Sequence, residues 1–188
     1  MPITGRGWEL HVERLGQHRK DGRQRTYGRY VVTIDGVPKP MLHGFMLEAI
    51  GPGDNSRENN GLRVEAGRYA LTTHFRSFVS VGYSTNTDGE PPLPAIRLLH
   101  TVARTGILIH PAHPPADKLY LASVGCLNPV SALAPSESAD FWDSRSRVIA
   151  LLDSLRAFRP EAFVESVPTS IADATIVIDG EPTAFLES

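Results

Sequence analysis

The chain has one cysteine, Cys126, so no disulfide can form within it. It has no apolar run long enough to cross a bilayer. Its first residues, Met1-Pro2-Ile3-Thr4-Gly5-Arg6-Gly7-Trp8, show neither a charged leader region nor an apolar one, and no Sec-type signal peptide is expected. Neither sign of charge dominates. Nineteen Lys and Arg against 21 Asp and Glu leave a net charge of −2, which argues against a nucleic-acid partner. The one basic cluster, Arg14 to Arg29, is glycine-rich and reads as a solvated loop. Internal repeats and low-complexity tracts are also missing. What is there suits one domain: 188 residues, 41% of them hydrophobic, enough for a real core.

Most of the chain reads as short strands. Trp8 to Leu15 alternates, with Trp8, Leu10 and Val12 on one side. Tyr27 to Ile34 is rich in β-branched and aromatic residues and ends in the turn signal Asp35-Gly36. The two are expected to pair as a hairpin or ribbon across the basic segment. Further strands are expected at Phe45 to Ile50, within Leu62 to Phe75, and at Phe78 to Tyr83, Ala95 to His100, Gly106 to His110 and Ala174 to Ile178. Asp54 to Gly61 and Ser84 to Pro94 are polar and read as loops. One segment is helical: Ser138 or Asp140 can cap it, and Val148, Leu151, Leu152, Leu155 and Phe158 recur at helical spacing until Arg159-Pro160. The expected fold is mainly β, antiparallel, sandwich or barrel-like, with one helix in the C-terminal half packed on it.

The chemistry concentrates between Gly106 and Pro129. His110 closes an apolar strand, Gly106-Ile107-Leu108-Ile109-His110, and Pro111 follows at once, so its ring sits at a sheet edge or cleft floor. Ser123-Val124-Gly125-Cys126 sets the thiol just after a glycine, where the backbone can turn tightly and free N–H groups can face an oxyanion. Fifteen residues separate His110 from Cys126, room for a loop and a short strand that returns to the same end of the sheet. A thiol also needs a base or cation, because the thiolate is the nucleophile, and His110 is the nearest platformed base in sequence. The plain alternatives are a cysteine buried as a small hydrophobe and a satisfied core histidine. His113 lies in a proline-flanked loop and is a candidate substrate contact; Asn128 makes a turn before Pro129 or contributes to the site. A metal set of His110, His113 and Cys126 matches no standard zinc spacing.

These residues resemble the L,D-transpeptidase (YkuD-like) family. Its signature is a histidine, a spacer of somewhat over a dozen residues, then Ser or Thr, a residue often His, Gly, Cys, a hydrophobic residue, and Arg or Asn. Here His110 is followed by Ser123-Val124-Gly125-Cys126-Leu127-Asn128. Ala66-Gly67-Arg68-Tyr69 resembles the family's Pro-x-Gly-x-Tyr strand. The likeness covers about Leu62 to Asn128. Val124 stands where the family often has His, Pro111 replaces the usual Gly, and the spacer is slightly short.

The resemblance implies a cysteine enzyme acting on peptidoglycan stem peptides, either as an L,D-transpeptidase or as an L,D-carboxypeptidase. In it Cys126 is the nucleophile and His110 the base. Gly125 and Cys126 N–H groups hold the oxyanion, Ser123 orients His110 or the loop, and Asn128 holds the motif turn or meets substrate. Asp117, Ser123 or a backbone carbonyl orients His110. No metal or organic cofactor is implied. The partner is a stem peptide, with no nucleic acid and no membrane span. Peptidoglycan lies outside the cytoplasm, so the enzyme is expected to be made in the cytoplasm and delivered to the periplasm or wall without Sec. A phage or secretion apparatus, and an immunity protein, are then the further partners. The alternative is a catalytically inactive wall-binding or phage/secretion structural module of the same fold.

Overall fold

The computed structural model describes residues 3–75, 94–112, 120–121 and 123–187. The expected strand at Phe78 to Tyr83, most of the Ser84 to Pro94 loop, His113 and Asp117 lie outside the described residues.

The molecule is mainly β, as the alternation of apolar residues requires. Its strands are β1 (Trp8–Lys20), β2 (Arg23–Ile34), β3 (Val37–Glu48), β4 (Gly67–His74), β5 (Ala95–Leu98), β6 (Leu108–Ile109), β7 (Asn128–Val130) and β8 (Ser170–Asp179). Between β7 and β8 run the helix α1 (Phe141–Phe158) and a 3-10 turn, Pro160–Phe163. The strands form one sheet in the order β6-β5-β4-β8-β1-β2-β3-β7. Neighbours pair antiparallel except β1 and β8, which run parallel. The last strand thus enters the middle of the sheet, between the first strand and β4. The two outer strands then meet, because Ile109 of β6 bridges Leu127, the residue just before β7. The sheet therefore nearly closes on itself, and the segments carrying Cys126 and His110 form the seam.

Local sequence accounts for the turns and the helix. Asp35 and Gly36 adopt φ of 49° and 77°, the pair of positive φ angles that a two-residue hairpin turn demands, and join β2 to β3. Asp140 caps α1 by accepting from the Asp143 N–H (2.7 Å), and the helix stops before Pro160. Its stripe, Val148, Leu151, Leu152 and Leu155, is fully buried among Trp8, Leu10, Ile176 and Ile178. Each such side chain contributes roughly 1.5–3 kcal/mol by leaving water. Trp8 Nε1 also donates to Ser154 Oγ (3.0 Å), tying the first strand to the helix.

The basic cluster is the reading that the structure overturns. Arg14 to Arg29 is not a loop: it lies in β1 and β2, with only Asp21 and Gly22 between the two strands. Its glycines 16 and 28 stand within the ladder, at a bulge between Arg14 and Gly16. Arg14 is buried and forks onto Glu48 (2.8 and 2.7 Å), while Glu181 takes its Nη1 (2.8 Å). Arg25 is buried and donates to the carbonyls of Tyr120 (2.8 Å) and Glu137 (2.7 Å). Two of these charges are internal struts, which a composition count cannot see.

Candidate functional site

The expected strand from Gly106 to His110 is reduced to Leu108–Ile109, with His110 just beyond its end. It runs parallel to the thiol segment: Leu127 N–H donates to Leu108 O (2.9 Å) and His110 N–H to Leu127 O (3.1 Å). Cys126 therefore sits beside Leu108 and Asn128 beside His110. Cys126 and His110 are diagonal neighbours across the Leu127–Ile109 bridge.

His110 is buried and its ring is fixed by main chain. Nδ1 lies 2.6 Å from the Pro111 carbonyl. A carbonyl only accepts, so Nδ1 carries the proton, and in the neutral ring Nε2 holds the lone pair. Asn128 braces the same segment through main chain. Its Nδ2 donates to the His110 carbonyl (2.8 Å), reaches toward Pro111 O (3.3 Å) and lies 3.2 Å from Nδ1. Asn128 Oδ1 is buried without a partner among the described residues. The helix adds a further brace that the sequence did not announce. Ser144, fully buried on α1, accepts from the Ala112 N–H (2.8 Å) and donates to the Pro129 carbonyl (2.6 Å), so it spans the segments after His110 and after Asn128.

Cys126 is half-buried and packs against the core. Its sulfur accepts from the Leu108 N–H (3.4 Å) and contacts the Gly106 carbonyl (3.6 Å); among the described residues it makes no hydrogen bond to His110. Burial pushes the thiol up, while the Leu108 N–H and the charge of Arg104 act in the opposite direction. The cation shown acting on the sulfur is Arg104. Ser123 Oγ donates to the Cys126 carbonyl (2.7 Å), so this hydroxyl holds the loop rather than His110. Among the described residues the Gly125 and Cys126 N–H groups donate no hydrogen bond, so both are available to an incoming oxyanion. Val124 is exposed.

Around the sulfur lies an open cleft of about 300 Å³ lined by Glu58, Arg104, Gly106, Gly125 and Cys126 among others. Gly125 leaves the space that Arg104 fills: a Cβ at Gly125 would stand 2.2 Å from Arg104 Nη2, so the guanidinium would have to move. Arg104 was missed in sequence because no local pattern marks it. Its turn is pinned by its own N–H to Thr101 O (2.9 Å) and by Thr101 Oγ1, which donates to the Arg104 carbonyl. Among the described residues no group of three or more His, Cys, Asp or Glu is placed to hold a metal ion.

Compared with family models, with curated proteins and with solved structures, the chain matches none. The chemistry of the site therefore rests on its own geometry.

Proposed function

We propose that the chain is a cysteine acyltransferase or hydrolase acting on peptidoglycan stem peptides, as an L,D-transpeptidase or L,D-carboxypeptidase. The observation that carries the reading is the seam itself, where a cleft-lining thiol, two N–H groups unengaged among the described residues and a histidine protonated on Nδ1 lie on adjacent segments.

In this reading Cys126 rotates about χ1, exchanging the Leu108 N–H for His110. Nε2 takes the thiol proton as sulfur attacks the carbonyl of the L-residue that precedes a D-residue. The Gly125 and Cys126 N–H groups receive the oxyanion. The C–N bond then breaks, the imidazolium proton passes to the departing amine, and a thioester on Cys126 remains. An acceptor amine, or water, gives its proton to Nε2 as it attacks the thioester. The C–S bond breaks and the thiol regains that proton. Amine attack is transpeptidation and water attack is carboxypeptidase cleavage. Asn128 and the Pro111 carbonyl position His110, and Ser123 positions the thiol loop.

One observation favours a second reading, a silent wall-binding or phage/secretion module of the same fold: the sulfur bonds to main chain, and burial pushes the thiol up. Incubation with muropeptides decides between them. The enzyme reading expects crosslinked or trimmed stems with the native chain and none with Cys126→Ala. Binding to isolated walls without any change in stem peptides supports the second reading and overturns the first. Delivery to the wall by a route other than Sec, with a secretion or phage apparatus and an immunity protein as partners, belongs to the same proposal. Finding the protein only in the cytosol, with no delivery apparatus encoded beside it, contradicts that placement.

A further inference from the structure

Of the four buried arginines among the described residues, two are matched by acids, and Arg25 is held instead by the Tyr120 and Glu137 carbonyls. Arg14 meets Glu48 and Glu181 at 2.7 and 2.8 Å, and Arg63 meets Glu181 at 2.7 Å. Arg104 has less than any of these three. It is 4% exposed, yet among the described residues no carboxylate comes within ion-pair distance. Among the described residues its one side-chain hydrogen bond runs from Nη1 to the Asp54 carbonyl (3.2 Å). Nη2 lies over Gly125, in the wall of the cleft that holds Cys126. A buried guanidinium with no carboxylate in direct contact is costly, and a carboxylate that entered the cleft would relieve that cost with a charge-assisted, two-point contact.

We propose that Arg104 is the specificity residue of the Cys126 cleft and receives a carboxylate of the acyl donor. The inference rests on the stem-peptide reading for the identity of the donor, but not for the anion site itself. Two carboxylates have the right chemistry: that of the terminal D-residue that leaves, and a side-chain carboxylate on the L-residue whose carbonyl is transferred to Cys126. Among the described residues the other charged side chain lining the cleft is Glu58, whose Oε1 accepts from Thr105 Oγ1 (2.8 Å); Asp54 gives the guanidinium its main-chain carbonyl, and its carboxylate acts on it at longer range. A ligand with an anion at one end is therefore oriented, with its negative group at Arg104 and away from Glu58.

The test uses two alkylating reagents on the full chain. Iodoacetate carries a carboxylate and iodoacetamide does not, and their rate ratio at one pH cancels the thiolate fraction. The expected ratio at Cys126 exceeds that of free cysteine by about tenfold, the size of one partly screened charge contact. Arg104→Gln is expected to return the ratio to the free-thiol value, and Arg104→Lys to keep most of the preference. A native ratio equal to that of free cysteine overturns the inference, and so does a Cys126 that neither reagent modifies. Because the native ratio decides alone, a variant that fails to fold leaves the test intact. Donor stems amidated at the terminal carboxylate, or at the side-chain carboxylate, then tell the two sources apart by which loses turnover. A raised ratio with no turnover of any stem keeps the anion site and removes the stem-peptide reading. Turnover with a free-thiol ratio does the reverse.

Discussion

Gly125 and Arg104 are matched to each other: the space a Cβ would fill at Gly125 is occupied by Arg104 Nη2, 2.2 Å away. The glycine before the thiol thus makes room for a cation as well as for a turn. Gly125→Ala is expected to push the guanidinium out of the cleft wall and to cost about 1–3 kcal/mol, the usual range for overpacking. Urea unfolding measures the cost. Alkylation of Cys126 by a neutral reagent should persist in the variant, while its preference for an anionic reagent falls.

Asn128 is expected to act through His110. Its amide donates to the His110 carbonyl at 2.8 Å and lies 3.2 Å from Nδ1, in a buried setting. Asn128→Ala leaves that carbonyl without its donor and should cost about 1–3 kcal/mol. On the acyl-transfer reading kcat falls and the pH–rate profile shifts, because the ring loses its brace, while KM for the donor changes little. A variant that loses stability and keeps the native pH profile assigns Asn128 to structure alone.

Acid stability has a separate handle. His18 is buried, stacks on Tyr27 at 4.3 Å and accepts from Arg25 Nη2 through Nδ1 (3.1 Å). Burial, and then the Arg25 charge, pull it down to about 4. The unfolded chain therefore takes up this proton first. The stability held above the ordinary histidine value, near 6.5, is lost as pH falls from there toward 4. The loss is expected to be roughly 1–3 kcal/mol. His18→Gln keeps an acceptor for Arg25 and should flatten the stability curve over that window. A native curve that is already flat between pH 6.5 and 4 contradicts the assignment.

The helix and parts of several strands were legible because burial follows period, while β7 and the inner ends of β1 and β2 were not. Trp8, Leu10 and Val12 alternate into the core, and Val148, Leu151, Leu152 and Leu155 recur at helical spacing, so each segment states its own inner face. Asp35-Gly36 and the Asp140 cap are local chemistry and were legible for the same reason. Sheet order was not: nothing local in Ser170–Asp179 says that it pairs parallel to Trp8–Lys20. Arg14 and Arg25 look like surface charges until Glu48 and the Tyr120 carbonyl are brought to them by the fold. At the site, Cys126, His110 and Asn128 could be singled out by spacing. Arg104 and Ser144 could not, since each acts across a long stretch of chain on a partner that only the closed seam supplies.

The most direct measurement is the intact mass of the protein after brief exposure to a stem tetrapeptide donor. The account predicts an adduct equal to the donor less its terminal D-residue, located on Cys126 by peptide mapping, absent in Cys126→Ala, and discharged by an acceptor amine or by water. Consumption of donor by Cys126→Ala contradicts it. So does a native chain whose Cys126 reacts readily with a neutral thiol reagent but never carries the acyl group.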